Sequence, residues 1–196
     1  MKSIEKIWDE LFEYWVQHEP SFIEPIGATD EEIKELEKEM GMSLPTSLKE
    51  SLKRCNSYPS DWEKVKKSSA LLLGEAGQLY SVQQIIEWYK ENMSYKVDYP
   101  FKSIYGDTRS PNSNWDEHWI PLYDYNADVF FAIDMRKENG VLCEKVLYID
   151  FEYSILAVVA DSYEEFLNQV LLAILEEGQY ESKNLENVLL RYGVKQ

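Results

Sequence analysis

The chain has 196 residues, 44% of them apolar and 29% charged, a balance that suits one soluble domain with a single sizeable core. Twenty lysines and arginines stand against 36 aspartates and glutamates, so the formal net charge is 20 − 36 = −16. Such a surface repels phosphate backbones and anionic lipid, which argues against nucleic-acid and membrane-surface binding, and it speeds encounter with a basic partner. Cys55 and Cys143 make no disulfide framework, no apolar run approaches the roughly 18 residues of a membrane span, and MKSIEKIWDELF is amphipathic rather than a signal peptide. A cytoplasmic setting is expected.

Ile4, Ile7, Trp8, Leu11, Tyr14 and Trp15 share one side of a first helix running to about Gln17. Pro20 and Pro25 interrupt the next stretch, where Phe22, Ile23 and Ile26 are expected to plug a core edge. Two short helices follow between Gly27 and Tyr58. Thr29 and Glu32 form a capping-box pattern, Ile33, Leu36 and Met40 form one face, and Gly41 ends the first helix. Leu44-Pro45 restarts the chain, and Leu48 and Leu52 carry the second stripe to Asn56-Ser57.

Residues 58–69 are polar and turn-like, with Trp62 and Val65 as anchors, and Leu71–Leu73 reads as a short strand before a turn at Gly74–Gly77. Ser81 caps a helix through Ile85, Ile86, Trp88 and Tyr89. Residues 91–118 have little regular pattern, with Tyr95, Tyr99, Phe101, Tyr105 and Trp115 spaced through them. A loop of that length suggests a functional or mobile insertion.

A meander begins at Trp119. Strands are predicted over Trp119–Leu122, Val129–Asp134, Lys145–Asp150 and Ile155–Val159. Tyr123–Asp128 reads as a polar turn, Glu152-Tyr153 as another, and Asn139-Gly140 as a hairpin turn whose return strand starts at Val141 or Lys145. Ser162 and Glu165 open a helix carrying Phe166, Leu167, Val170, Leu171, Ile174 and Leu175 to Gly178, and Glu181–Tyr192 forms a last helix on Leu185, Val188, Leu189 and Tyr192.

Catalytic signals are sparse. Asp116-Glu117-His118, with Cys143 elsewhere, is the one constellation that an enzyme reading could use, through a histidine base oriented by carboxylate. His18 lies on the polar side of the first helix. Glu31, Glu35 and Glu39 share a helix face, and metal binding would need carboxylates converging from several elements. No metal, cofactor or catalytic residue is assigned, and the two cysteines read as small buried hydrophobes.

The order of these pieces resembles the SMI1/KNR4 family of the SUKH group. The resemblance runs through Gly27-Ala28-Thr29 with Glu32-Ile33 and Leu36-Glu37, then Leu44-Pro45, Leu48-Lys49, Leu52 and Asn56. It continues through Leu79, Ser81, Gln84 and Ile85, then Ile120-Pro121 with Asp124 and Phe130–Asp134, and ends on Val159-Ala160-Asp161-Ser162-Tyr163-Glu164-Glu165-Phe166-Leu167. Ser57 and Asn126-Ala127-Asp128 stand where glycine is common in that family. The likeness covers residues 22–176 of what is expected to be one domain, 1–196, with helical additions at 1–18 and 181–193. It implies an α+β fold, a single mixed but mainly antiparallel sheet with helices packed against it, and no catalysis or cofactor. It implies immunity against a cognate bacterial toxin, often a nuclease, or a regulatory or scaffold role.

An acidic inhibitor can offer carboxylates to the basic residues with which a nuclease holds its substrate. The expected contact set joins acids and rings near strand ends: Asp107, Trp115, Asp116, Glu117, Tyr123, Asp124, Tyr125 and Asp128, with Asp150, Glu152 and Tyr153 from a neighbouring turn. Exposed rings would equally serve a homo-oligomer.

Overall fold

The meander strands VFFAID, KVLYID and ILAVVA are nearly continuous apolar runs, so the sheet they build is apolar on both sides rather than alternating buried with exposed. The computed structural model describes residues 2–18, 20, 22–56, 79–98, 100–109, 111–125, 129–138 and 140–177, apart from the side chains of 124, 125, 138 and 177. The strands are β1 (Ser103–Tyr105), β2 (Trp119–Tyr125), β3 (Val129–Asp134), β4 (Lys137–Glu138), β5 (Val141–Leu142), β6 (Lys145–Asp150) and β7 (Ile155–Ala160). Five of them form one sheet in the order β1-β7-β6-β3-β2, and β4 and β5 make a separate two-stranded ribbon. β1 is parallel to β7, and the other pairings are antiparallel. This is the mixed, mainly antiparallel α+β arrangement that the sequence implied.

Phe131 and Ile133 of β3, Val146 and Tyr148 of β6, and Ala157 and Val159 of β7 belong to the main core. Their immediate neighbours Phe130, Ala132, Leu147, Ile149, Leu156 and Val158 belong to a second cluster on the opposite face, because successive strand residues point to opposite sides. The main face is covered by α1 (Ile4–His18), α2 (Asp30–Met40), α3 (Thr46–Arg54), α4 (Val82–Ser94) and α5 (Tyr163–Glu177). Ile33, Leu36 and Met40 of α2, and Leu48 and Leu52 of α3, face inward as their spacing requires. Thr29 and Glu32 form the capping box of α2, with Thr29 N donating to Glu32 Oε2 at 2.7 Å, and Gly41 closes the helix at φ 67°. Ser81 and Gln84 cap α4 in the same way. Gly27 has no latitude for a side chain. A Cβ there would lie 1.8 Å from the Lys53 carbonyl oxygen, where the strand-like lead into α2 runs against the end of α3.

Among the described residues the second face meets a helix only at its margin, through α4. Phe101 and Trp115, from the irregular segment between α4 and β2, cover it together with Trp119, and Trp88, Met93 and Phe151 pack at its margin. Trp115 meets Trp119 edge-on at 5.6 Å and Phe130 at 5.9 Å between ring centres. The expected insertion is therefore the lid of the second core, and it contains β1, which local pattern did not reveal because it is only three residues long.

Other expectations shift locally. Phe12, rather than Tyr14, completes the buried face of α1, and Tyr14 is half-buried and stacked on His18. Phe22 packs on Phe12, whereas Ile23 and Ile26 are exposed. Leu175 is exposed on α5, where Ala173 is buried instead. β2 continues through Tyr125 past a bulge between Pro121 and Tyr123, so Tyr123–Tyr125 are strand where a turn was expected, and 126–128 lie outside the described residues. β4 and β5 pair antiparallel on either side of the position where a hairpin was expected, with Gly140 at φ 84°, and β6 begins separately at Lys145. The expectations for Trp62, Val65, Leu71–Leu73, Tyr99 and the helix 181–192 lie outside the described residues. Among the described residues no helix is long and apolar enough to cross a membrane. Cys55 is buried in the core and Cys143 is half-buried, and they are not joined in a disulfide.

One buried polar chain ties three helices together. Trp8 Nε1 of α1 donates to Ser51 Oγ of α3 at 2.9 Å, and that hydroxyl is 2.8 Å from Tyr163 OH of α5. Burial pushes the Tyr163 phenol above its ordinary pKa, so it stays neutral and able to donate. Ser51→Ala deletes the shared hydroxyl and strands two buried groups, so urea unfolding should show a loss of about 2–3 kcal/mol. Tyr163→Phe leaves the Trp8 bond intact and should cost about 1 kcal/mol. Equal losses in the two variants would contradict this linkage.

Candidate functional site

The register of the sheet separates the expected contact residues into two groups. Trp119, Asp134 and Lys145 lie in one row, and Tyr125, Val129, Asp150 and Ile155 in the row at the other end. Five residue steps of β3 lie between the rows, roughly 17 Å at the usual strand rise. Asp107, Trp115, Asp116 and Glu117 belong to the first end, and Tyr123, Asp124, Tyr125, Asp150, Glu152 and Tyr153 to the second. Asp128 lies outside the described residues, and the backbones of Asp124 and Tyr125 form the end of β2.

Three of these residues are buried and cannot meet a partner directly. Trp115 is wholly enclosed by the second core. Tyr123 faces the main core, because the bulge after Pro121 resets the alternation of β2, and its ring meets that of Phe131 at a tilt, 5.7 Å between centres. Asp150 accepts hydrogen bonds from Tyr148 OH at 2.9 Å and Tyr153 N at 2.8 Å, so its carboxylate shapes the turn after β6. Burial first, and then Asp150, hold the Tyr148 phenol above its ordinary pKa.

The first end is built around Arg136, which sequence reasoning passed over. Its Nε and Nη2 donate to both oxygens of the buried Asp134, at 2.9 and 2.6 Å, and Nη2 also reaches Thr108 Oγ1 at 3.1 Å. Nη1 lies 3.8 Å from Asp116 Oδ2, and the guanidinium sits 5.5 Å over the Trp119 ring. Burial opposes its charge, but Asp134 and then Asp116 outweigh that and raise its pKa. Asp116 Oδ1 meanwhile accepts the backbone N–H of His118 at 2.9 Å and lies 3.0 Å from His118 Nδ1. Lys145 Nζ reaches the Asp107 carboxylate at 3.2 Å. Arg136 thus pins the 106–118 segment to the sheet end, and the Asp116–His118 pair belongs to that clamp. The one signal in sequence was an arginine two residues beyond the aspartate that ends a strand.

The second end differs in charge. Its turn, Phe151–Ser154, places Ser154 in the left-handed region at φ 57° and fully buried, with Ser154 O accepting the N–H groups of Lys102 and Ser103. Glu152 and Tyr153 project from this fixed turn, with Tyr153 66% exposed. No ion pair engages Glu152 among the described residues. Among those residues no three His, Cys, Asp or Glu side chains assemble as a metal-ligand set.

Residues 27–169 match the model of the SMI1 / KNR4 family (SUKH-1), and the chain belongs to that family. No curated protein matches the chain.

Removing the Arg136 guanidinium would leave the Asp134 carboxylate buried and unpaired. Arg136→Ala should therefore lower stability by about 3–5 kcal/mol, and combining Arg136→Met with Asp134→Asn should recover part of that loss. Denaturant unfolding of the three proteins checks this, and a loss below about 1 kcal/mol for Arg136→Ala would show that the pair is not the clamp.

Proposed function

We propose that this SMI1/KNR4-family chain is a non-catalytic immunity protein, acting in the cytoplasm, that binds a cognate bacterial toxin and blocks it by covering a basic surface such as a nuclease uses for its substrate. The observation that carries the reading is the family match joined to a net charge of −16. Long-range attraction between opposite charges raises the association rate, and a blocking protein needs no chemistry of its own.

The exposed members of the contact set are the ones left to meet a partner. Asp116 is already engaged by Arg136 and His118, whereas Asp107 is exposed although it contacts Lys145. Glu117 is exposed beside them, and Glu152 and Tyr153 stand out at the other end. An aromatic ring next to a carboxylate on a rigid turn is the type of anchor that dominates interfaces. An interface of ordinary size, about 800 Å² per partner, spans both sheet ends.

Pull-down with the product encoded immediately upstream, followed by calorimetry at low and high salt, tests the reading. Tight one-to-one binding that weakens with salt is expected, because exposed charge attraction is screened. Glu152→Lys with Tyr153→Ala should weaken binding at least tenfold, about 1.4 kcal/mol, while leaving folding unchanged, and Glu117→Lys should act more weakly. Failure to bind any adjacent product would turn the assignment toward a regulatory or scaffold module with an endogenous partner. Binding that both variants leave intact would move the site elsewhere.

A further inference from the structure

The two edges of the main sheet are not equivalent. The edge at β2 is occupied, since Tyr80 N donates to Leu122 O at 2.8 Å and α4 packs alongside. The edge at β1 has only β7 as an extensive neighbour among the described elements. Ser103 pairs with Ile155, Ile104 with Leu156 and Tyr105 with Ala157, and Ser103 N donates to Ser154 O at 3.2 Å. In a parallel ladder alternate residues turn both backbone groups toward the same neighbour. Ser103 therefore bonds inward, and the N–H and C=O of Ile104 point out of the sheet. The Ile104 side chain is 40% exposed at the same place. An edge of this kind is a template for another strand.

We propose that this edge pairs with the same edge of a second copy, antiparallel, about a twofold axis through Ile104. Each Ile104 would then exchange both backbone hydrogen bonds with its counterpart, and the two five-stranded sheets would join into one. Charge selects the occupant. Two chains of −16 repel each other over most of their surface, so they meet best where local charge cancels. Residues 101–107 carry one positive side chain, Lys102, and one negative, Asp107. Antiparallel pairing centred on Ile104 brings Lys102 of each copy opposite Gly106 and beside Asp107 of the other, so the edge is complementary to itself. Asp107 is 95% exposed while it contacts Lys145, which leaves its outer side open to a second cation.

This inference is independent of toxin binding and is tested without a toxin. Sedimentation equilibrium of the whole chain over a concentration series should show a monomer–dimer equilibrium. The dimer should strengthen at high salt, opposite in sign to binding of a basic partner, because salt screens the repulsion between two acidic bodies. Hydrogen exchange should show the Ile104 amide fast in dilute solution and protected as the dimer fills. Ile104→Pro removes an N–H that the chain's own ladder does not use, and Ile104→Lys places a charge on the edge. Both should be monomeric with unchanged circular dichroism. A wild-type chain that stays monomeric throughout, or a dimer that survives in a folded Ile104 variant, overturns the proposal.

Discussion

Phe130 and Phe131 are neighbours in sequence and are buried on opposite faces of the same sheet. That single constraint organises the molecule. An antiparallel sheet commonly leaves one face to water, but here β3, β6 and β7 are apolar on both, and each face must be covered by something else. Among the described residues, helices α1 to α5 cover one side. The other is covered by an irregular segment, whose rings Phe101 and Trp115 do the work that a helix would do elsewhere. The irregular segment must in turn be fastened, and the buried Asp134–Arg136 pair reaches from the end of the sheet to Thr108 and Asp116 to hold it.

Buried polarity in this fold is spent at joints. Ser51 links α1, α3 and α5 through Trp8 Nε1 and Tyr163 OH. Asp150 shapes the turn that sets the parallel strand against β7, through Tyr153 N and the Ser154 carbonyl. Removing one partner of such a buried pair leaves the other unsatisfied, which is what makes these joints costly to break. The acidic surface has a different distribution. Many carboxylates on the helices are matched by cations, as in Asp9–Arg54, Glu10–Lys2, Glu37–Lys49 and Glu39–Lys90, so net charge alone does not mark where a partner would sit.

Helices were legible because capping and periodicity are local: Thr29 with Glu32, Gly41, and Ser81 with Gln84 all act within one turn. The meander was legible for the same reason, since short apolar runs bounded by turn residues such as Asn139-Gly140 are local signals, although they did not show that both faces of the sheet would be buried. What local pattern could not show was which face each ring would take. Trp115 looked like a contact residue because its neighbours are polar and loop-forming, yet a fully enclosed indole shows that the loop is folded over a second core. Tyr123 was misplaced by a bulge, which inverts alternation without changing composition. The division of the contact set between two sheet ends depends on strand register. β1 escaped notice because a three-residue strand draws its identity from its partner β7.

The parallel pairing of β1 with β7 also has a kinetic meaning. The strands of the β3–β6–β7 meander follow one another along the chain and close only short loops. Ser103 finds Ile155 across 155 − 103 = 52 residues, so this strand carries the largest loop-closure entropy of the sheet among its described pairings. The Thr29–Arg54 corner, by contrast, is a local unit. Ala28 N to Leu52 O and Asn56 N to Ile26 O close a loop of about 30 residues that needs no sheet to define it. On loop-closure cost alone, the helical corner and the meander are cheaper to close than the docking of β1 on β7.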